Sequence, residues 1–375
     1  MDVPTPTILP TAAVVPAPSA ARRDIVGVQY LRGLAALMVV ITHAAGMIAF
    51  PKYFGVSPGK FFEMGWVGVD LFFVISGFII SYATFDSRTY TARLGFVDFM
   101  IKRFIRIIPF MWVCILVYLG LRVLGRGAPE DLLPYWRAIL LWPVGEVKPD
   151  QIWTLRHEFL FYIVFGLTML MAVRRTWILV LWCASPLVYV PLRDLGYVGF
   201  YEARLLDFFC NPANVEFGLG LIFGNLLLRN GSIPVLPGRL QLPVLVGLSS
   251  LLMVATYVLG LEIGVLRDVL VLGCMSALIL FVGLGVTRCA NPIERLAHVL
   301  GDASYAVYLI HPAIISILLT VWAKVLPDTN VYVVLAGVTV LATAGGVIMH
   351  FLVEKPLIAF LNAHFAPRAA SARTA

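Results

Sequence analysis

Long apolar stretches, each closed by Gly, Pro or a charged residue, follow one another from residue 27 almost to the carboxyl end of the chain. A helix crosses a hydrocarbon layer of about 30 Å with about 20 apolar residues, because each rises about 1.5 Å. Runs near 27–50, 65–84, 105–124, 151–172, 176–192, 209–228, 242–260, 265–287, 299–322 and 331–358 therefore predict about ten crossings. None shows the alternation, roughly ten residues long, of a transmembrane strand, and irregular backbone cannot face lipid with unpaired amides. The fold class that follows is all-α, a polytopic membrane helical bundle. It spans residues 25–362, between a Pro-, Ala- and Thr-rich amino-terminal tail (1–24), expected to be disordered and without a cleavable signal, and a carboxyl-terminal tail (363–375).

Composition agrees with the pattern. Of 375 residues, 60% are hydrophobic and 13% charged, and the mean hydropathy is +0.91, so lipid must be the solvent for most of the surface. The net charge of +7 comes from basic residues scattered at the ends of apolar runs, which points to topology and away from nucleic acid. An even number of crossings leaves both termini on one side. Placing that side in the cytoplasm puts the larger share of the 28 Lys and Arg there. The cysteines (Cys114, Cys183, Cys210, Cys274, Cys289) lie far apart without metal-ligand spacing, so they are expected to be small core residues, and no metal is implied. No pair of broken helices recurs in two halves, as a transporter with inverted repeats would show. With little chain left after the last crossing, any chemistry is expected inside the bundle.

Charges within crossings cost several kcal/mol on insertion scales, roughly 2.5–3.5 each, so Arg32, His43, Asp70, Arg156, His157, Glu158, His311 and His350 are candidates for function. Arg32 and His43 return to nearly the same helix face, about 16 Å apart along the axis, where one extended ligand could touch both. His43, Asp70 and Glu158 are each expected about 8 to 10 Å below the outer ends of their crossings. At one depth, two acids could orient an imidazole while it removes a proton; Asp70, beside glycines near a helix start, also suits a cap. On the inner side, Arg103 and Arg106 share a face in the run Lys102-Arg103-Phe104-Ile105-Arg106. Guanidinium forks match phosphate oxygens, and positive-inside anchoring explains the same run more simply. Aromatics crowd the outer ends (Trp66, Trp136, Trp142, Tyr197, Phe200, Tyr201) as an interfacial belt. Trp153, close to Glu158, is the one suited to stacking on a sugar. His350, before Glu354 and Lys355, reads as structural.

At these residues the chain resembles the acyltransferase 3 family of membrane acyltransferases, particularly the short branch that acetylates bacterial exopolysaccharide. Arg32 and His43 meet its Arg, ten residues, His signature, and Gly68-Val69-Asp70-Leu71-Phe72-Phe73-Val74-Ile75-Ser76-Gly77 its second motif. Arg103 and Arg106 precede Ile108-Pro109. Then follow Trp153-Thr154-Leu155 with Glu158-Phe159-Leu160-Phe161-Tyr162, Ser304-Tyr305-Ala306-Val307-Tyr308-Leu309-Ile310-His311, and the closing Glu354-Lys355-Pro356. The resemblance covers nearly all of residues 25 to 360.

It implies a bacterial inner-membrane enzyme that takes an acyl group, most often acetyl, from cytoplasmic acyl-CoA. His43, Glu158 and Asp70 would be catalytic, Arg32, Arg103, Arg106 and Lys102 would engage CoA, and Trp153, Tyr305 and His311 the acceptor, a hydroxyl of a cell-surface polysaccharide or its lipid-linked precursor. Direct transfer and an acyl-His43 intermediate both remain open. So do a small glycoside or macrolide acceptor, a flippase for lipid-linked sugar, and a scaffold subunit of an export complex. Arg156-His157, where relatives often carry less charged residues, leaves open whether Glu158 pairs with Arg156.

Overall fold

The computed structural model describes residues 25–84, 94–126, 131–170, 175–230, 240–286 and 291–365. The expected tails lie outside them except for residues 363–365, as do Arg88, Arg93, Arg174, Arg239, Arg288 and Cys289. Every regular element among the described residues is helical. In chain order they are α1 (Val26–Ile48), α2 (Lys60–Glu63), a 3-10 turn (Met64–Val67), α3 (Gly68–Thr84), α4 (Phe96–Arg126), α5 (Leu133–Ile139), α6 (Ile152–Met169), α7 (Arg175–Ala184) and α8 (Pro186–Asp194). Then come α9 (Phe200–Phe209), α10 (Ala213–Asn230), α11 (Gln241–Leu259), α12 (Leu266–Leu284), α13 (Pro292–Val325), α14 (Val331–Met349), a π-helical turn (His350–Glu354) and α15 (Lys355–Phe365).

Seven helical segments are long and apolar enough to cross a membrane: Val26–Ile48, Lys60–Thr84, Phe96–Gly125, Gln241–Leu259, Leu266–Leu284, Pro292–Val325 and Val331–Phe365. The other three expected crossings are helical but of different character. Helix α6 carries Arg156-His157-Glu158 in its second turn, and α10 opens with Asn214 and Glu216. The run 176–192 breaks at Ser185 into α7 and α8: Ser185 keeps helical backbone angles, but Pro186 has no N–H to continue the ladder of α7 and takes the first position of the new helix. Large apolar side chains such as Leu124, Leu181, Val258 and Leu352 point outward, as lipid-facing helices require. The described cysteines are unpaired; Cys114 and Cys183 are buried as expected, Cys210 is half-buried and Cys274 is exposed.

Where lipid gives no hydrophobic drive between helices, small residues let backbones approach. Helices α1 and α13 run parallel, with Gly33 against Leu300 and Gly301, and Gly301 against Gln29. Helices α3 and α10 also run parallel in close contact: a Cβ on Gly77 would collide with the Phe217 carbonyl, and one on Gly220 with the Val74 carbonyl. These two pairs hold the polar residues of the bundle in fixed register.

Gly220→Val should therefore lower the thermal midpoint of the purified protein, by the equivalent of about 1–3 kcal/mol for an overpacked contact. Gly247→Ala, where a Cβ meets nothing within 4 Å, should leave it unchanged or raise it. Equal midpoints for the two variants would contradict the close packing of α3 on α10.

Candidate active site

Three arginines converge on one cavity of about 120 Å³. Helix α1 supplies Arg32, and α4 supplies Arg103 and Arg106, three residues apart and so on one face. Helix α6 adds Glu158 and Tyr162, and α13 adds Ser304, Tyr305 and Tyr308. Lys102 is exposed and takes no part in the wall. Arg106 is held from behind: its Nη1 donates to Glu354 Oε1 at 2.8 Å, and Glu354, without exposed surface, also bonds His350 Nδ1 through Oε2 at 2.7 Å. The π-helical turn presents His350 and Glu354 together at this point. Arg106 also covers the Tyr305 ring at 5.7 Å, while Arg103 lies over Phe99 and Tyr162 at 5.3 Å each. Arg103 Nε and Ser304 Oγ are buried without a hydrogen-bond partner.

Glu158 is bonded within the same cavity, accepting from Ser76 Oγ at 3.0 Å and from the Tyr162 hydroxyl. Arg156 turns the other way and donates from Nη1 to the Gly145 carbonyl at 2.9 Å. His157 packs between Trp153 and Phe208. The two residues before Glu158 thus serve the neighbouring loop and core, and Glu158 is left to the arginine cavity.

His43 meets His311, with ring centroids 4.9 Å apart and planes at 64°. Each Nδ1 lies near the carbonyl four residues earlier, Val39 at 2.9 Å and Val307 at 3.0 Å. A carbonyl can only accept, so both Nδ1 atoms carry the proton and both Nε2 atoms present a lone pair. His311 is fully buried, and its Nε2 has no partner. Glu158 is not at this depth. Gln151 Nε2 donates to the Leu309 carbonyl at 2.8 Å, Thr154 shares a hydrogen bond with the Tyr308 hydroxyl at 2.7 Å, and Glu158 lines the cavity with Ser304. Helix α6 thus runs antiparallel to α13, and Glu158 sits about 10 Å from the level of His311, seven residues at 1.5 Å each. Tyr308 stands between the two regions: it lines the arginine cavity, meets Phe72 at 5.9 Å and lies 6.2 Å from His311.

Asp70 takes a third position. It lines a second cavity of about 430 Å³ with Asp150, Trp153 and Glu216, and its carboxyl lies within electrostatic reach of that of Glu216. The acid within electrostatic reach of His43 is Asp150, which precedes α6. Of the residues expected from sequence, Arg32, Arg103, Arg106, Glu158 and Tyr305 come together around one cavity, Asp70 and Trp153 around another, and His43 with His311 in neither wall. Sequence reasoning passed over Glu216, Asp150 and Ser304. Glu216 carried a legible signal, being an acid inside the apolar run 209–228.

A family profile described as an acyltransferase domain matches residues 25–350. The chain is 29% identical over 326 residues to the exopolysaccharide production protein ExoZ of Rhizobium meliloti (strain 1021), covering 80% of this chain and 92% of that protein. It is 30% identical over 105 residues to protein 2 in the picA locus of Rhizobium radiobacter, covering 27% of this chain and 49% of that protein. No solved structure matches.

The Arg106–Glu354 contact predicts a double-mutant result. Arg106→Gln, Glu354→Gln and the double variant, compared by thermal unfolding, should show a coupling of about 1 kcal/mol, because Arg106→Gln leaves Glu354 with His350 alone and Glu354→Gln removes the anion bonded to Arg106. Strictly additive effects would rule the pair out.

Proposed function

The chain belongs to this acyltransferase family, and we propose that it moves an acyl group, acetyl first among them, from cytoplasmic acyl-CoA to a hydroxyl of a bacterial surface polysaccharide or its lipid-linked precursor. The polysaccharide acceptor is supported by the likeness to an exopolysaccharide production protein of Rhizobium meliloti. The protein would lie in the bacterial inner membrane with both termini in the cytoplasm.

The observation that carries the donor half is the arginine cavity. Arg32, Arg103 and Arg106 face it against the single carboxylate Glu158, leaving a cationic surplus that phosphate oxygens would neutralise through charge-assisted bonds. Lys102, on the exposed side of α4, would add attraction without touching the bound arm. Tyr305, whose hydroxyl donates to the Ile107 carbonyl at 2.7 Å, would hold the cavity wall beside Arg106.

In this reading the thioester passes Tyr308 and Phe72 to reach His43. Nε2 of His43 takes the proton of the acceptor hydroxyl while that oxygen attacks the thioester carbonyl. The tetrahedral centre then releases the thiolate, His43 returns the proton to sulfur, and the products are ester and free CoA. Val39 holds the ring through Nδ1. His311, fully buried, packs edge-on against the His43 ring and shapes the pocket behind it. Glu158 keeps the arginines from repelling one another, and Asp70 belongs to the acceptor side.

Purified protein given acetyl-CoA and acceptor should release CoA. His43→Ala should slow release by about 10²–10⁴-fold with donor affinity retained. Arg103→Ala should weaken CoA binding roughly tenfold or more, the worth of a hydrogen bond to a charged group. Unchanged CoA affinity in Arg103→Ala would end the donor reading, and an acylated protein trapped from donor alone would replace direct transfer with an acyl-His43 route.

A further inference from the structure

A phosphate grip at Arg32 and a proton acceptor at His43 serve one donor only if the thioester arm can pass between them, and in the structure two rings close that way. Gly65 abuts Met38 and Gly68 abuts Ala35, so α3 runs antiparallel to α1. Phe72 therefore starts one turn further toward Arg32, and its side chain leans back toward the start of α3. That sets its ring between the levels of Arg32 and His43. There it meets the Tyr308 ring edge to face, with centroids 5.9 Å apart and planes at 70°, a contact distance for two aromatic rings. Tyr308 lies 6.2 Å from His311, which packs on His43. Phe72 and Tyr308 both line the arginine cavity, whereas neither histidine does.

The two rings are held differently. The Tyr308 hydroxyl is tied to Thr154 Oγ1 at 2.7 Å and to the Gln151 carbonyl at 3.2 Å. Phe72 has no polar handle and is placed by apolar contact alone, touching each of three apolar cores of the bundle. A side chain at such a junction is expected to be wholly covered. Phe72 is only half-buried, while its chain neighbours Leu71 and Phe73 are 0% and 5% exposed.

We propose that Phe72 is the moving half of a gate that closes on the fixed Tyr308, and that it decides which acyl-CoA the protein accepts. Its ring swings aside to admit the thioester, and the acyl group takes the space so cleared beside His43. Thioester and acyl group share the room of one phenyl ring, closed behind by the fully buried His311. Acetyl fits there and hexanoyl does not. The inference rests on the donor reading and narrows it to a short-chain acyl-CoA selected by one side chain. Such selection is effective because a methylene that fits or fails to fit an apolar pocket changes discrimination about 10–200-fold.

The test measures dissociation constants of the full-length protein for CoA and its inert thioethers S-ethyl-CoA, S-butyl-CoA and S-hexyl-CoA, so no acceptor is needed. In the unmodified protein S-hexyl-CoA should bind about tenfold or more weakly than S-ethyl-CoA, with S-butyl-CoA between them. Phe72→Ala should abolish the difference. Phe72→Leu should reduce it, and decides the matter if the alanine variant fails to fold. CoA itself should bind as before in both. Ile79 lines the same cavity two turns further along α3, and Ile79→Ala should leave the chain-length order intact. Equal affinity for the ethyl and hexyl thioethers in the unmodified protein overturns the proposal. So does a ratio unchanged in every folded Phe72 variant, or the same loss of selectivity in Ile79→Ala. If neither CoA nor any thioether binds, the donor reading falls and takes this one with it; firm CoA binding with a chain-length order indifferent to Phe72 sinks this inference alone.

Discussion

A carboxylate with no exposed surface, Glu354, is held between a guanidinium and an imidazole, and much of the polar interior depends on that contact. Inside a helical bundle the protein must itself supply what water supplies elsewhere, so each buried charge needs a partner within reach. Glu354 ties the closing segment of the chain to α4 and fixes the direction of Arg106, which then faces Arg32 and Arg103 across the cavity. Three cations so close would push the helices apart. Glu354 behind them and Glu158 among them offset that repulsion and still leave positive charge facing the space.

The glycine contacts make this arrangement possible. Parallel packing of α1 on α13 carries two separate pairings at two heights: Arg32 with Ser304 and Tyr305 around the arginine cavity, and His43 with His311 further along. A pair of helices crossing steeply would supply one such meeting point, whereas near-parallel helices in backbone contact supply several. The same logic on α3 and α10 brings Asp70 to Glu216. Chemistry in this molecule is therefore laid out along helix axes, with each polar pair a turn or more from the next.

The helical class and the location of most crossings were legible in hydropathy alone, because lipid imposes the same length and apolarity on every span. The arginine cavity was legible too, since Arg103 and Arg106 share a face by local spacing and Arg32 lies on the same side of the membrane. What failed was depth. Glu158 and His43 looked level when counted from the ends of their runs, but α6 starts at the level of Leu309, so its second turn already lies with Ser304. Partners distant in sequence, such as Asp70 with Glu216 or His43 with His311, leave no periodic trace. Arg156 showed a different blindness: an adjacent opposite charge suggested a pairing with Glu158, but its helix points the side chain toward Gly145.

The π-helical turn between α14 and α15 bears on how such a site can be altered. A turn of this kind holds one residue more than the α-helix around it, the footprint of a single insertion. Regular helix advances about 100° per residue, so excising one residue from His350–Glu354 would rotate everything on one side of the cut by about that angle against the other. Whatever lineage of changes this protein has undergone, the length of that five-residue segment is far less free to drift than the identity of the apolar side chains around it.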